Sequence, residues 1–217
     1  MNSLLEVKLL SVSPEYLKNI WTAARTCYSA QSPIEISNEE TTENEQLRLA
    51  RHIINQGHHS VLEHCHMTFA VKNVSRTLLA QYSRHRIGIS LSVQSQRYVT
   101  EQSGKNPEGL FDFVLPKSIE NSPEAKKVYF EAMKSAQSFY DKLLALEMPK
   151  EDARFVLPGG AGTNFVTSLN LRSFLDIYKK RVLTKGAQWE IKELLDKMAE
   201  ILLEKEPWLK EFIDVEH

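Results

Sequence analysis

The chain has only two cysteines, Cys27 and Cys65, far apart and without CxxC spacing. That excludes a disulfide scaffold and points to a reducing compartment, so a cytoplasmic protein is expected. It has no apolar run near the roughly 20 residues of a membrane-spanning helix. Its first twelve residues alternate apolar with polar side chains and form no signal-peptide core, so no membrane partner is expected. It has no excess of one charge: 27 basic against 28 acidic side chains leave a formal net charge of −1. The chain as a whole is therefore no polyanion binder, and a phosphate site has to come from local clustering. Internal repeats and low-complexity linkers are absent. Gly159, Gly160 and Gly162 lie close together, yet they lack the spacing and the following Lys-Ser/Thr of a phosphate-cradling loop and read as a turn.

What is present is an ordinary globular composition. The 217 residues are 42% hydrophobic and 25% charged, enough for a single domain over 1–217 with a real core. Residues 5–12 alternate and read as a strand. Ser13-Pro14-Glu15 reads as the N-cap, first-turn proline and early acid of a helix running to about residue 28. Residues 31–40 are polar, contain a proline and read as loop. Thr42 and Glu45 form a capping box before Leu47, Ala50, Ile53 and Ile54, with Gly57 as the stop. Ser60 and Glu63 give a weaker capping signal. Met67, Phe69 and Val71 alternate as a strand, and Ser75 opens a short helix through Tyr82. Residues 95–100 and 111–115 are expected to be extended, and 102–108 a turn-rich loop. Ser122-Pro123-Glu124 starts a long helix ended by Pro149, followed by a helical turn over 151–157. Helices are expected from about 168 to 183 and from about 187 to 204. The sum is an α+β fold, a modest and mostly antiparallel sheet surrounded by helices.

The most informative stretch is Gln81-Tyr82-Ser83-Arg84-His85-Arg86, followed by Ser95-Gln96-Arg97-Tyr98. Guanidinium groups stay charged and donate in a fixed fork, which phosphate fits best. In the intervening stretch Ser90, Ser92 and Gln94 supply polar groups while Ile87, Ile89, Leu91 and Val93 interleave, an alternation that a solvated loop does not need. The plainer reading is a helix end whose cations favour the C-terminal dipole. A second cluster, His58-His59-Ser60-Val61-Leu62-Glu63-His64-Cys65-His66, raises the metal question. Its spacing is neither His-Glu-x-x-His nor a paired Cys/His pattern, and no metal is expected. A third segment, Ala153-Arg154-Phe155-Val156-Leu157-Pro158, reads by itself as a helix end with one exposed arginine. In a fourth, Asn170, Arg172, Asp176 and Arg181 share one expected helix, with Arg181 about three turns after Asn170, so both can face one pocket. A plain amphipathic helix would give Arg181 an acidic partner instead.

In this order, the four segments resemble the flavin-dependent thymidylate synthases. Arg84-His85-Arg86, separated by the eight residues Ile87 to Gln94 from Ser95-x-Arg97, matches the longer form of that family's motif. Gly57-His58-His59-Ser60-Val61-Leu62-Glu63-His64 resembles its Gly-His-x-[Ser/Thr]-x-x-Glu-His box. Ala153 to Pro158 resembles its Ala-Arg-x-x-Leu-Pro element. Asn170-x-Arg172-Ser173, through Arg181 to Ala187-Gln188-Trp189-Glu190-Ile191, resembles its C-terminal box. The resemblance implies reductive methylation of dUMP to dTMP without an enzyme cysteine nucleophile. Methylenetetrahydrofolate would donate the carbon, and FAD reduced by NADPH the hydride. It further implies a homotetramer with active sites at subunit interfaces and no nucleic-acid partner. It assigns catalytic roles to Arg181 and His58. It assigns dUMP contacts to Gln81, Arg84, Gln94, Ser95, Gln96, Arg97, Arg154 and Arg181. It assigns FAD contacts to Ser60, Glu63, Arg84, His85, Arg86, Asn170, Arg172 and Asp176. Uracil C5 is a poor nucleophile, and a cation against the pyrimidine O2/N3 edge, here Arg181, would pass electron density to it.

The chain departs from the family pattern at four places. Val93-Gln94 stands where Asn-Glu is usual, Lys185-Gly186 where a histidine often precedes Ala-Gln-Trp-Glu, Cys27 where a serine ends the first helix, and Asp176 where an asparagine is expected. Two other readings compete. One is a single-stranded nucleic-acid module with Arg84, Arg86 and Arg97 on phosphates and Tyr82 and Tyr98 for stacking. The other is a metallohydrolase built on His58, His59, His64 and His66. The first leaves the segment from Asn170 to Arg181 without a purpose.

Overall fold

The computed structural model describes residues 5–106 and 108–213. Four strands, β1 (Glu6–Val12), β2 (His66–Ser75), β3 (Ile89–Val93) and β4 (Gly162–Asn170), form one sheet in the order β1-β2-β4-β3. Every neighbouring pair is antiparallel. Ser13 N donates to His66 O at 2.9 Å while Lys72 reaches Glu6, so β1 and β2 run in opposite directions. Arg76 N donates to Ala161 O and the Thr68 hydroxyl meets that of Ser168, which sets β2 against β4. Gln94 N donates to Asn164 O and Asn170 N to Gly88 O, which sets β4 against β3. The expected mixed fold with an antiparallel sheet is what the chain adopts.

The helices are α1 (Tyr16–Thr26), α2 (Pro33–Ser37), α3 (Glu43–Asn55), α4 (Arg76–Tyr82), α5 (Lys117–Glu120), α6 (Pro123–Ala145), α7 (Lys150–Ala153), α8 (Leu171–Arg181) and α9 (Trp189–Lys205). Local chemistry starts most of the longer ones. The Thr42 hydroxyl accepts from Glu45 N while the Glu45 carboxylate accepts from Thr42 N, a complete capping box for α3. Ser75 caps α4, Ser122 caps α6, Asn170 caps α8 and Gln188 caps α9. Gly57, at φ +76°, follows the C-cap of α3 as expected.

Within the described residues the chain divides into two compact units. The first is built from residues 5–6, Val71–Arg84 and Ser92–Val166, the second from Val7–Ala70, His85–Leu91 and residues 167–213. The core of the first gathers Phe111, Phe113, Met133 and Ala161, with Tyr129 and Phe130 packed against them. Gln137 of α6 is buried there, and it accepts from Phe111 N and donates to Glu101 O. The second buries Ile20 and Ala24 of α1, Ala50 and Ile53 of α3, Phe174 and Ile177 of α8, and Leu194, Leu195 and Met198 of α9. Each large apolar side chain taken out of water contributes about 1.5–3 kcal/mol, so the helical stripes rather than propensity hold these units.

Several local expectations are corrected. Ser13 does not cap α1: its N–H and hydroxyl are both spent on His66 across the β1–β2 pair, and Glu15 enters the helix with φ +49°. The expected loop over 31–40 contains α2, opened by Ser32, Pro33 and Glu35 in a full capping box. Ser60 makes no cap, because residues His59–His64 form a 3-10 turn. The extended backbone expected over 95–100 lies earlier, in β3. Tyr98 N and Val99 N both turn back to Ser95 O. The helix expected from about 168 begins at Leu171, and β4 precedes it. Thr163, Phe165, Thr167 and Leu169 alternate inward along that strand, a period of two that the nearby helical signal obscured.

Candidate active site

In the first unit, α4 ends at Tyr82 and the chain turns out through Ser83 and Arg84, whose N–H donates to Gln81 O. Gln81 is half-buried and Arg84 exposed. After β3 the backbone is clamped at Gln94. Its N–H donates to Asn164 O, its Oε1 accepts from Asn164 Nδ2 at 2.7 Å, and its carbonyl accepts from Arg76 Nη2 at 3.0 Å. Asn164 Oδ1 also accepts from Asn73 N. The Gln94 amide oxygen is thus held by the protein itself. The turn that follows presents Ser95, Gln96 and Arg97, and the Ser95 hydroxyl accepts from Arg97 N. Gln96 is only 8% exposed. Its Nε2 finds no hydrogen bond of ordinary length, although the side chain lies close enough to the Glu101 carboxylate to favour the anion there.

Two expected dUMP ligands meet in this unit through a residue that the motifs did not single out. Arg97 Nε donates to Glu151 Oε2 at 2.6 Å, and Arg154 Nε donates to the Glu151 backbone carbonyl at 3.0 Å. The signal for Glu151 in the sequence is weak, a carboxylate one turn before Arg154. Arg76 is a further cation beside Arg154, and Glu101 sits near Arg76 and Asp112. Burial, with the Asp112 charge behind it, pushes the Glu101 carboxyl above its usual range, and Arg76 opposes the shift.

In the second unit the 3-10 turn buries Val61 and Leu62 and leaves His58, Ser60, Glu63 and His64 exposed. Glu63 Oε1 accepts from Arg172 Nη1 at 2.5 Å, so two expected flavin ligands from distant segments are brought together. Asp176 instead pairs with Lys180 one turn along α8 at 2.7 Å. Asn170, 7% exposed, spends its Oδ1 on Ser173 N at the start of α8. The Ser173 hydroxyl donates to Ile87 O at 2.7 Å, and Gly88 at φ +67° passes so close that an added Cβ would sit 2.3 Å from Ser173 Oγ. Three turns later Arg181 Nε donates to His85 Nε2 at 3.0 Å. Helix α8 therefore pins the segment from His85 to Gly88 at both ends. Accepting at Nε2 requires that this His85 nitrogen carry no proton. Among the described residues no carboxylate lies within ion-pair range of Arg84, Arg86 or Arg181. The acidic partner that a plain amphipathic helix would give Arg181 is not there.

The competing readings find little support in this geometry. Tyr82, the stacking residue of a nucleic-acid module, is fully buried and stacks on Phe165 with centroids 5.3 Å apart. Among the described residues no group of three or more His, Cys, Asp or Glu side chains is placed to hold a metal ion. Cys65 is fully buried, and burial pushes its thiol up to about 12 with Glu206 adding to the effect, so it stays protonated at neutral pH.

Residues 8–208 match the sequence model of the thymidylate synthase complementing proteins. A flavin-dependent thymidylate synthase from Clostridium tetani is 32% identical, covering 89% of this chain and 80% of its own length. One from Nitratidesulfovibrio vulgaris is 36% identical over 94% and 84%, and one from Haloarcula marismortui 33% over 98% and 96%.

This chain belongs to the flavin-dependent thymidylate synthase family.

Solved structures agree on the family fold. The UMP/dUMP methylase PolB from Streptomyces cacaoi, bound with 5-Br dUMP, aligns with a TM-score of 0.83 at 20% identity, over 97% of this chain and 95% of its own. Thymidylate Synthase X from Helicobacter pylori, with FAD and dUMP, aligns with a TM-score of 0.74 at 22% identity, over 99% and 100%. As a member of this flavin-dependent family the chain is an enzyme, and its four motif segments fall between α3 and β2, on either side of β3, at the end of α7 with the turn that follows, and along α8 into the start of α9.

Proposed function

We propose that this chain converts dUMP to dTMP by reductive methylation, with methylenetetrahydrofolate as carbon donor and NADPH as reductant. The observation that carries the reading is Arg181. It is held at Nε by an uncharged His85 nitrogen, it lacks a carboxylate partner among the described residues, and its terminal fork is left free. Placed at the O2/N3 edge of uracil, that fork stabilises negative charge on the ring and makes C5 nucleophilic. A preorganised cation of this kind supplies several kcal/mol in a site closed to water. Cys65, buried and protonated, is unsuited to add at C6.

The FAD contacts fall to exposed groups whose chemistry suits it. Arg86 carries an uncompensated charge for the pyrophosphate, Ser60 offers a hydroxyl, and the Glu63–Arg172 pair offers an acceptor beside remaining guanidinium donors. Bound there, FAD supplies the hydride. The chain's own part is to orient dUMP, to exclude water and to hold the charge that develops on the ring. Gln81, Arg84, Ser95, Gln96, Arg97 and Arg154 bind the nucleotide. His58, exposed beside the 3-10 turn, faces the reacting groups. Gln94 serves by holding the turn, because its amide oxygen is engaged by Asn164. Asn170 and Asp176 complete the flavin set from α8.

In this proposal the protein works in the cytoplasm as a homotetramer, with active sites formed at subunit interfaces. Both cysteines are free thiols, and no described helix is long and apolar enough to cross a membrane. The test is the visible spectrum of the purified protein with and without dUMP, followed by dTMP formation from dUMP, methylenetetrahydrofolate and NADPH. Flavin absorbance that responds to dUMP, with turnover, is expected. A protein that never takes up flavin would end the reading. Light scattering on the same sample is expected to give four chains per particle.

A further inference from the structure

Resting on that reading, we propose that Glu151 is a positioning residue for the substrate phosphate, holding Arg97 so that its terminal fork faces the anion. Arg97 and Glu151 lie 54 positions apart, and Glu151 belongs to none of the four motif segments. It nevertheless touches two of the arginines assigned to dUMP, Arg97 and Arg154, and in both cases at the same atom. Its carboxylate accepts from Arg97 Nε, and its backbone carbonyl accepts from Arg154 Nε. A guanidinium presents five N–H donors in one plane. Occupying Nε–H fixes that plane and leaves the two terminal nitrogens, the pair that matches a phosphate edge, without a hydrogen-bond partner among the described residues.

The alternative role, holding the fold, is weak here. Both partners are about half-exposed, with side chains 54% and 46% accessible, and ion pairs of this kind contribute little to stability. The strut matters more for aim than for stability, because a long arginine on a turn otherwise samples many rotamers and loses that freedom on binding. Arg154 needs no side chain for its strut, since the carbonyl persists whatever residue stands at 151. Removing the Glu151 side chain therefore releases Arg97 alone.

The test uses FAD-loaded enzyme and measures dissociation constants for dUMP and for deoxyuridine, which lacks the phosphate. The variants are Glu151→Ala, Glu151→Gln, Arg97→Ala and the Glu151→Ala/Arg97→Ala double. Glu151→Ala is expected to weaken dUMP about tenfold and to leave deoxyuridine unchanged. Glu151→Gln keeps an oxygen for Nε and is expected within about threefold of wild type. The double variant is expected to be no weaker than Arg97→Ala alone, because the two residues act in series. The role is overturned if Glu151→Ala binds dUMP as wild type does, weakens both ligands alike, or adds its full effect to that of Arg97→Ala. If Glu151→Ala fails to fold by circular dichroism, the glutamine variant decides: a loss equal to that of Arg97→Ala overturns the role, and retained affinity supports it. Wild type that binds no dUMP overturns the functional reading as a whole, whereas wild type that binds it while Glu151→Ala is unaltered overturns this role alone.

Discussion

Arg97 and Arg154 of the first unit are held in one way, and Arg172 and Arg181 of the second in two. In the first, Arg97 and Arg154 are both anchored at Nε by Glu151, and their terminal nitrogens are left for a ligand. In the second, Arg172 commits a terminal nitrogen to Glu63, while Arg181 is anchored at Nε by His85. Three of the side chains read as nucleotide ligands, Arg97, Arg154 and Arg181, therefore share one mode of support, and Arg172, one of the arginines read as flavin ligands, has another. An arginine held at Nε keeps its terminal fork whole. One that gives a terminal nitrogen to a carboxylate has spent part of that fork and is better suited to a contact of fixed geometry than to gripping an anion.

The sharpest way to break this comparison is Arg181→Ala. It is expected to lower kcat for dTMP formation by roughly 10²–10³-fold, the scale of one preorganised electrostatic contact, while flavin binding persists. Turnover near wild type would place ring activation elsewhere. Next comes Arg154→Ala, expected to weaken dUMP about 10–100-fold with little change for deoxyuridine, since only a charged hydrogen bond to phosphate is lost. Equal weakening of both ligands would detach Arg154 from the phosphate.

Gly88→Ala tests the clamp that α8 places on the segment after Arg86. The φ of +67° and the 2.3 Å approach to Ser173 Oγ predict a loss of about 1–3 kcal/mol, read as a lower denaturation midpoint, with weaker flavin binding alongside. Glu63→Ala removes a half-exposed pair and is expected to cost at most about 1 kcal/mol of stability, yet to weaken flavin measurably. A large stability loss with intact flavin affinity would make the pair structural. The smallest effect concerns Glu101. Burial and Asp112 raise its pKa in the folded state, so the folded chain keeps a proton that the unfolded chain has released, and stability falls as pH rises through that window. Glu101→Gln is expected to raise the melting temperature at pH 8 relative to wild type and to leave it unchanged at pH 4. No difference at either pH would contradict the assigned burial.

How far the chain could be read before folding depends on distance along it. The capping box of Thr42 and Glu45, the Ser75 and Ser122 caps and the alternation of β2 are written within a few residues, and they stand as read. Ser13 and Ser60 carry the same kind of signal and fail. In Ser13 a strand neighbour takes the hydroxyl, and residues 59–64 coil more tightly than an α-helix. Strand β4 was hidden because its alternation runs directly into the Asn170 cap of α8, so two periods overlap. The departure at Gln94 looked like a lost carboxylate. In the fold its amide oxygen meets Asn164, a residue without any motif of its own.

By itself the sequence determined the α+β class, the starts of α3, α4 and α6, and which cations and hydroxyls belong to the four motif segments. Those features arise from side chains acting on backbone a few residues away or from residue types in fixed order. The tertiary structure alone decided that His85 supports Arg181 across 96 positions and that Glu151 supports Arg97 across 54. Such pairings depend on how packed elements close long loops, and neither spacing nor composition records that geometry.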